Sequence, residues 1–284
     1  MIQIKNKKIT DLLTGIIILI RVPLAILGMI CVFIGGVIGG FEYFNQNLIF
    51  AMIAVFFITS GSMAFNDYFD KDIDKKVHPN RPIPSGKITP IQGLIISIIF
   101  FIISLFISFI INTLCFFIAI ITIDLLVLYE IRFKNQGIVG NLVVSFIVAI
   151  SFSFGGASVD RSEMSIVFTL LAFFLILGRE ILMDVTDIEG DKINRSTLPM
   201  RIGKIKATYL GCLSLLISAF FLFMPGFIGI FSTYYLLIIL PVQALLFYSI
   251  VLPLINIENT ARSADLLLLT MAIGLPIFIF NIIF

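Results

Sequence analysis

Apolar runs long enough to cross a lipid bilayer recur along the whole chain, and no other feature restricts its fold as much. A span needs about 20 predominantly apolar residues. Such runs fall at 13–38, 47–68, 90–111, 113–131, 138–159, 164–184, 206–224, 227–251 and 264–283. Asn112-Thr113 marks one short break, and Pro225-Gly226 another, with residues that favour a tight turn. The expected architecture is all-α: a polytopic membrane protein with nine transmembrane helices in a bundle. Composition agrees. Of 284 residues, 60% are hydrophobic and 13% charged, about half the charged share of a soluble domain. Mean hydropathy is +1.14. A water-soluble fold could not hide so much apolar surface, so lipid is the expected solvent. The first run is long enough to span and no small-residue cleavage site follows it, so no cleavable signal peptide is expected. Cys31, Cys115 and Cys212 each lie in an apolar run; they read as small buried hydrophobes.

Charge placement sets the expected orientation. With the N-terminus inside, 16 Lys and Arg residues fall on inner segments and only Arg161 on an outer loop. The positive-inside rule then predicts a cytoplasmic N-terminus, an external C-terminus and a cell-membrane location. Two long polar loops, about 69–89 and 185–205, follow the second and sixth helices on the cytoplasmic side. Their matching places predict a repeat of four helices within one domain, 1–284. The copies are about 13–131 and 138–251, and helix 264–283 is an addition. Four helices return the chain to the same side, so the copies would be parallel, related by a pseudo-twofold along the membrane normal.

The chemistry concentrates where those helices meet those loops. Asp67, Asp70 and Asp74 are spaced i, i+3, i+7, and so are Asp184, Asp187 and Asp191, at an offset of 117 residues. On a helix this spacing lines three carboxylates up in one row. Such a row repels itself and is costly near the apolar core, unless something cationic sits against it. Hard oxygen ligands suit Mg²⁺, which keeps several waters and accepts phosphate oxygens. Two facing rows would hold two or three Mg²⁺ ions around one diphosphate. A single acidic triplet is as readily a solvated helix end; two with the same spacing at matching places in a repeat argue against that. Asp72 and Glu189 point off the row and read as solvated or salt-bridged.

Basic residues in Pro- and Gly-rich turns follow both triplets. Arg81, held between Asn80 and Pro82, is a candidate for binding a leaving diphosphate, which gains negative charge as its bond breaks. Lys75, Lys76, Lys204 and Lys206 read as topology or anionic-lipid contacts. The lone His78 is not needed. Arg21 and Arg179-Glu180 lie within spans, where charge is functional by default; Arg21 is a candidate substrate contact that could also snorkel. Tyr129 and Lys134 fall at the cytoplasmic end of the fourth helix, level with the acidic rows, and Asp124 lies deeper.

These residues resemble the UbiA superfamily of intramembrane prenyltransferases. The resemblance rests on Asn66, Asp67, Asp70 and Asp74; on Asp184, Asp187 and Asp191; on the turn Arg81 to Gly86; and on Tyr129 and Lys134, followed by Gly140-Asn141. It spans nearly the whole chain. Arg179-Glu180-Ile181, the second triplet and Thr197-Leu198-Pro199 are similar to the archaeal branch that builds membrane ether lipid. Met183 stands where that branch has Lys, removing one cation. The resemblance implies an enzyme in which both triplets bind Mg²⁺ and act catalytically, Asn66 supports the cluster, and Arg81 helps draw off diphosphate. The implied donor is geranylgeranyl diphosphate, and the implied acceptor geranylgeranylglyceryl phosphate. Its phosphate needs a cationic site, for which Lys134 and Arg201 are candidates. Membrane lipid, and no nucleic acid, completes the expected partners. An aromatic acceptor such as 4-hydroxybenzoate is the alternative within the superfamily. A divalent-cation transporter is the alternative from another class, but its carboxylates should lie near the midplane on broken helices. A CDP-alcohol phosphotransferase is disfavoured because its Asp-Gly-x-x-Ala-Arg signature is absent.

Overall fold

The computed structural model describes residues 12–38, 45–188 and 196–283. All regular structure among them is helical. Helix α1 is Leu12–Leu19 and α2 is Val22–Val37; α3 is Gln46–Phe69, and the short α4 is Lys71–Val77. Then come α5 (Pro90–Ile111), α6 (Thr113–Ile131), α7 (Ile138–Ser158) and α8 (Ser162–Thr186). The chain closes with α9 (Leu198–Ile202), α10 (Lys204–Phe227), α11 (Tyr235–Ile238), α12 (Leu240–Ile255) and α13 (Thr260–Ile283). Among the described residues, seven helices are long and apolar enough to cross a membrane, or eight if the bent pair α1–α2 forms one span. Large apolar side chains such as Ile91, Phe109 and Phe220 cover the outer faces, as they must where lipid is the solvent.

Two boundaries differ from the sequence expectation. The run 13–38 is broken at Ile20–Arg21, where α1 and α2 meet at 41°. Pro23 lies in the first turn of α2, and proline removes a backbone donor and crowds the preceding turn. The expected break at Pro225-Gly226 comes later. Pro225 lies inside α10, and the chain turns at Gly229, whose φ of +76° suits glycine. The following apolar stretch therefore splits into α11 and the 16-residue α12.

With no hydrophobic force to draw helices together in lipid, close contact rests on small residues and interhelical hydrogen bonds. A Cβ on Gly35 would overlap the carbonyl of Phe152, and one on Gly155 that of Val32, so α2 and α7 touch backbone to backbone. Between α10 and α8, Ser214 Oγ donates to the Phe174 carbonyl (2.7 Å) and Ser218 Oγ to that of Leu171 (3.0 Å). Of the seven spans, α3 and α8 are the most buried. Each ends in an acidic stretch, so both candidate motifs hang from the best-anchored helices in the bundle.

Candidate active site

The backbone keeps the first triplet helical in spirit but not in one rod. Asp70 ends α3 and caps α4, while Asp70 N–H still donates to the Asn66 carbonyl (2.9 Å) and Asp74 N–H to that of Asp70 (2.8 Å). The three carboxylates then go two ways. Asp67 and Asp74 are buried, at 1% and 3% exposure, and face Arg21 and Arg81. Arg21 Nη2 donates to Asp67 Oδ1 at 2.7 Å and Nη1 meets Met63 Sδ at 3.2 Å. Arg81 Nη1 reaches Asp74 Oδ1 and Oδ2 at 2.9 and 2.7 Å, and lies 3.7 Å from Asp67 Oδ1. Asp70 turns instead to α6 and its 3-10 turn Phe133–Asn135. Lys134 Nζ donates to Asp70 Oδ1 and Oδ2 at 2.8 and 2.7 Å.

Local structure explains these placements. Arg21 occupies the break before α2 with φ 46° and ψ 56°, a left-handed conformation that costs a non-glycine residue roughly 1–2 kcal/mol. Its charge-assisted bond to a buried carboxylate offsets that cost. Arg81 is brought back by the turn after α4, closed by Ser85 N–H to the Arg81 carbonyl at 3.0 Å and Ile88 N–H to that of Pro82 at 3.1 Å. Lys134 is placed by the 3-10 turn that ends α6.

Glu130 was not singled out by the sequence, yet it completes this cluster. Its Oε1 accepts from Asn66 Nδ2 (2.8 Å) and its Oε2 from Lys134 Nζ (2.8 Å), while Asn66 Nδ2 also reaches Asp70 Oδ2 at 3.1 Å. Its signal was the spacing of Glu130 and Lys134, four residues apart at a helix end.

The second triplet is set differently. Asp184 Oδ2 accepts from Asn141 Nδ2 at 2.9 Å, which ties the end of α8 to the start of α7. Asp187 is exposed. Asp191 lies outside the described residues. Arg179 pairs with Glu180 on its own helix at 2.9 Å. Arg201 is exposed, and its Nε donates to Ser196 Oγ at 3.1 Å. Asp124 lies on an exposed face of α6.

Behind the first triplet opens a cavity of about 660 Å³, well within the range of ligand pockets. Arg21, Asn66, Tyr129 and Glu130 line its polar end, and the walls are apolar, with α2, α3, α6, α7, α8 and α13 all contributing. The site can therefore hold a charged head at the helix ends and an apolar tail in the bundle.

The donor set fits a hard divalent cation. Every candidate ligand is a carboxylate or amide oxygen, and each first-triplet carboxylate has drawn a guanidinium or ammonium against it. Among the described residues no three acidic, His or Cys side chains converge as a ready-made metal cage. Mg²⁺ does not require one, since one or two carboxylates with waters and phosphate oxygens suffice.

Fold and site together define a multi-pass helical membrane protein with a charge-compensated acidic site at the mouth of an apolar cavity. The chain belongs to the UbiA prenyltransferase family, which matches residues 17–280, and it is accordingly a prenyltransferase. It is 33% identical to the digeranylgeranylglyceryl phosphate synthase of Methanosphaera stadtmanae, over 84% of this chain and 87% of that one. It is 35% identical to the enzyme of the same name from Sulfurisphaera tokodaii, covering 86% and 89%. A solved digeranylgeranylglyceryl phosphate synthase superposes with a TM-score of 0.85 at 30% identity, over 96% and 99% of the two chains. A UbiA homolog from Archaeoglobus fulgidus, bound to DMAPP and Mg²⁺, shares the fold with a TM-score of 0.67 at 19% identity, over 93% and 99%.

Proposed function

We propose that this prenyltransferase moves a geranylgeranyl group from geranylgeranyl diphosphate to the hydroxyl of geranylgeranylglyceryl phosphate, with Mg²⁺, and so forms the second ether bond of archaeal membrane lipid. The observation that carries the chemistry is the row of carboxylates and fixed cations at the mouth of an apolar cavity. The choice of substrates rests on the relatives named for that reaction.

Two or three Mg²⁺ ions would be held by Asp67, Asp70 and Asp74 and by Asp184, Asp187 and Asp191, and would supply charge neutralisation for the diphosphate, as the Mg²⁺-bound Archaeoglobus relative supports. Arg81, held by the turn that carries it, is assigned to diphosphate oxygens, and Lys134 to the acceptor's phosphate. Asn66 supports the cluster through its hydrogen bonds to Asp70 and Glu130. The allylic C1–O bond breaks and its electron pair leaves with the diphosphate. The acceptor oxygen bonds C1, and its proton passes to the diphosphate or a nearby carboxylate. The apolar walls keep water from the electron-poor carbon, and the Tyr129 ring offers it a π face. Arg21 and, from α9, Arg201 are assigned to substrate head groups.

The proposal includes the nine-helix count and the two four-helix repeats plus one helix. Supporting it, Gln46–Phe69 shifted by the motif offset lands on 163–186, beside Ser162–Thr186. The acidic loops and N-terminus are assigned to the cytoplasm and the C-terminus to the outside, by the charge asymmetry of the loops.

A membrane assay with labelled geranylgeranyl diphosphate and Mg²⁺ tests the substrate assignment. One tube receives geranylgeranylglyceryl phosphate and another 4-hydroxybenzoate. Transfer to the glyceryl phosphate alone is expected. Transfer to the aromatic acid alone would overturn the acceptor, and Mg²⁺ transport without prenyl turnover would overturn the reaction.

A further inference from the structure

Lys134 and Asn66 each bridge the same two carboxylates. Lys134 Nζ bonds both oxygens of Asp70 and Oε2 of Glu130; Asn66 Nδ2 bonds Oδ2 of Asp70 and Oε1 of Glu130. One of these carboxylates belongs to the acidic row and the other does not. The Glu130 and Lys134 side chains are 7% and 10% exposed. A cation so enclosed is costly to leave without a counter-ion.

This geometry gives Glu130 a task. A divalent cation that takes Asp70 competes with Lys134 and Asn66 for its oxygens and repels the Lys134 ammonium. Without a second carboxylate, the released ammonium would sit buried and unpaired, and that cost would count against metal binding. With Glu130 present, both donors keep one charge-assisted partner at unchanged position. We infer that Glu130 is a positioning residue that retains Lys134 and Asn66 when a divalent cation takes Asp70, thereby easing metal entry and keeping the Lys134 ammonium aimed at the site. The inference rests on the reading of the first triplet as a metal site.

The test is Mn²⁺ binding to the full-length protein in detergent, followed by loss of the free-ion electron paramagnetic resonance signal. Mn²⁺ serves as a stand-in of like oxygen preference. Glu130→Gln, isosteric but uncharged, should weaken Mn²⁺ binding about tenfold, in the range of coupling within one network. Glu130→Asp, which keeps the charge, should retain most of the affinity and guards against a folding defect. In a Lys134→Met background the effect of Glu130→Gln should shrink to roughly twofold, because no buried ammonium then needs retaining. An equal loss in both backgrounds would reduce Glu130 to a general field effect, and no loss in either would remove it altogether; each overturns the inference. If the wild-type chain binds no Mn²⁺, the metal reading of the triplet falls and takes this inference with it.

Discussion

At the end of α3, Asp67, Asp70 and Asp74 each rest against a cation supplied by another segment: Arg21, Lys134 and Arg81. At the end of α8, Asp184 accepts from the neutral amide of Asn141 and Asp187 faces outward. The carboxylate spacing is the same, but the neighbourhoods are not. The first stretch is followed by a Pro-rich turn that folds Arg81 back onto it, and it lies beside the α6 end that carries Lys134. Its negative charge is therefore compensated inside the protein and contributes to folding. A ligand arriving there must exchange one cation for another. Asp187 is exposed, so its carboxylate should matter to chemistry more than to stability.

Substitutions separate these roles. Asp187→Ala should lower turnover the most for its structural cost: roughly a hundred- to a thousandfold, as for other losses of charge stabilisation. Its thermal unfolding midpoint in detergent should stay at the wild-type value, because an exposed side chain is removed. Asp67→Ala should cost activity and also stability, about 3 kcal/mol, since it strands Arg21 beside an apolar cavity; an unfolding curve superimposable on the wild type would break the comparison. Gly155→Ala probes the backbone-to-backbone contact between α2 and α7. Its methyl group would push on the Val32 carbonyl and should destabilise by about 2 kcal/mol, read as a lower unfolding midpoint. The smallest effect belongs to Asp72, exposed and paired only with Lys75 at 3.0 Å among the described contacts. That hydrogen bond and charge hold its carboxyl below the usual range, so it stays ionised at neutral pH and any benefit is lost only as pH falls through its lowered pKa. Asp72→Asn should leave both turnover and unfolding unchanged, which shows that position in the row, and not acidity alone, decides the outcome.

Much of this was legible in the chain. Span-length apolar runs announced an all-helical membrane fold, because a hydrocarbon solvent leaves the backbone few alternatives. The paired triplets marked the candidate site, because rows of carboxylates near an apolar core need a reason. Other features required the fold. Glu130 reads in sequence as one more charge at a helix end, and only the packing of α6 beside α3 brings it to Asn66. The bend at Arg21 was foreshadowed by Pro23, yet the uninterrupted hydropathy of 13–38 masked it. Pro225 misled in the other direction: the helix accommodates it close to its C-terminal end, and the turn waited for Gly229. How the row divides, with Asp70 facing α6 and its neighbours facing the arginines, depends on the α3–α4 junction at Asp70, which spacing alone does not reveal.

The central claim is that both acidic stretches serve one Mg²⁺-dependent prenyl transfer. It is tested most directly by measuring transfer of the labelled geranylgeranyl group in membranes carrying the wild type, Asp70→Ala or Asp187→Ala at equal protein content. The account predicts Mg²⁺-dependent transfer by the wild type and its loss in both variants while each remains folded and membrane-embedded. Near-normal turnover in both variants would contradict it.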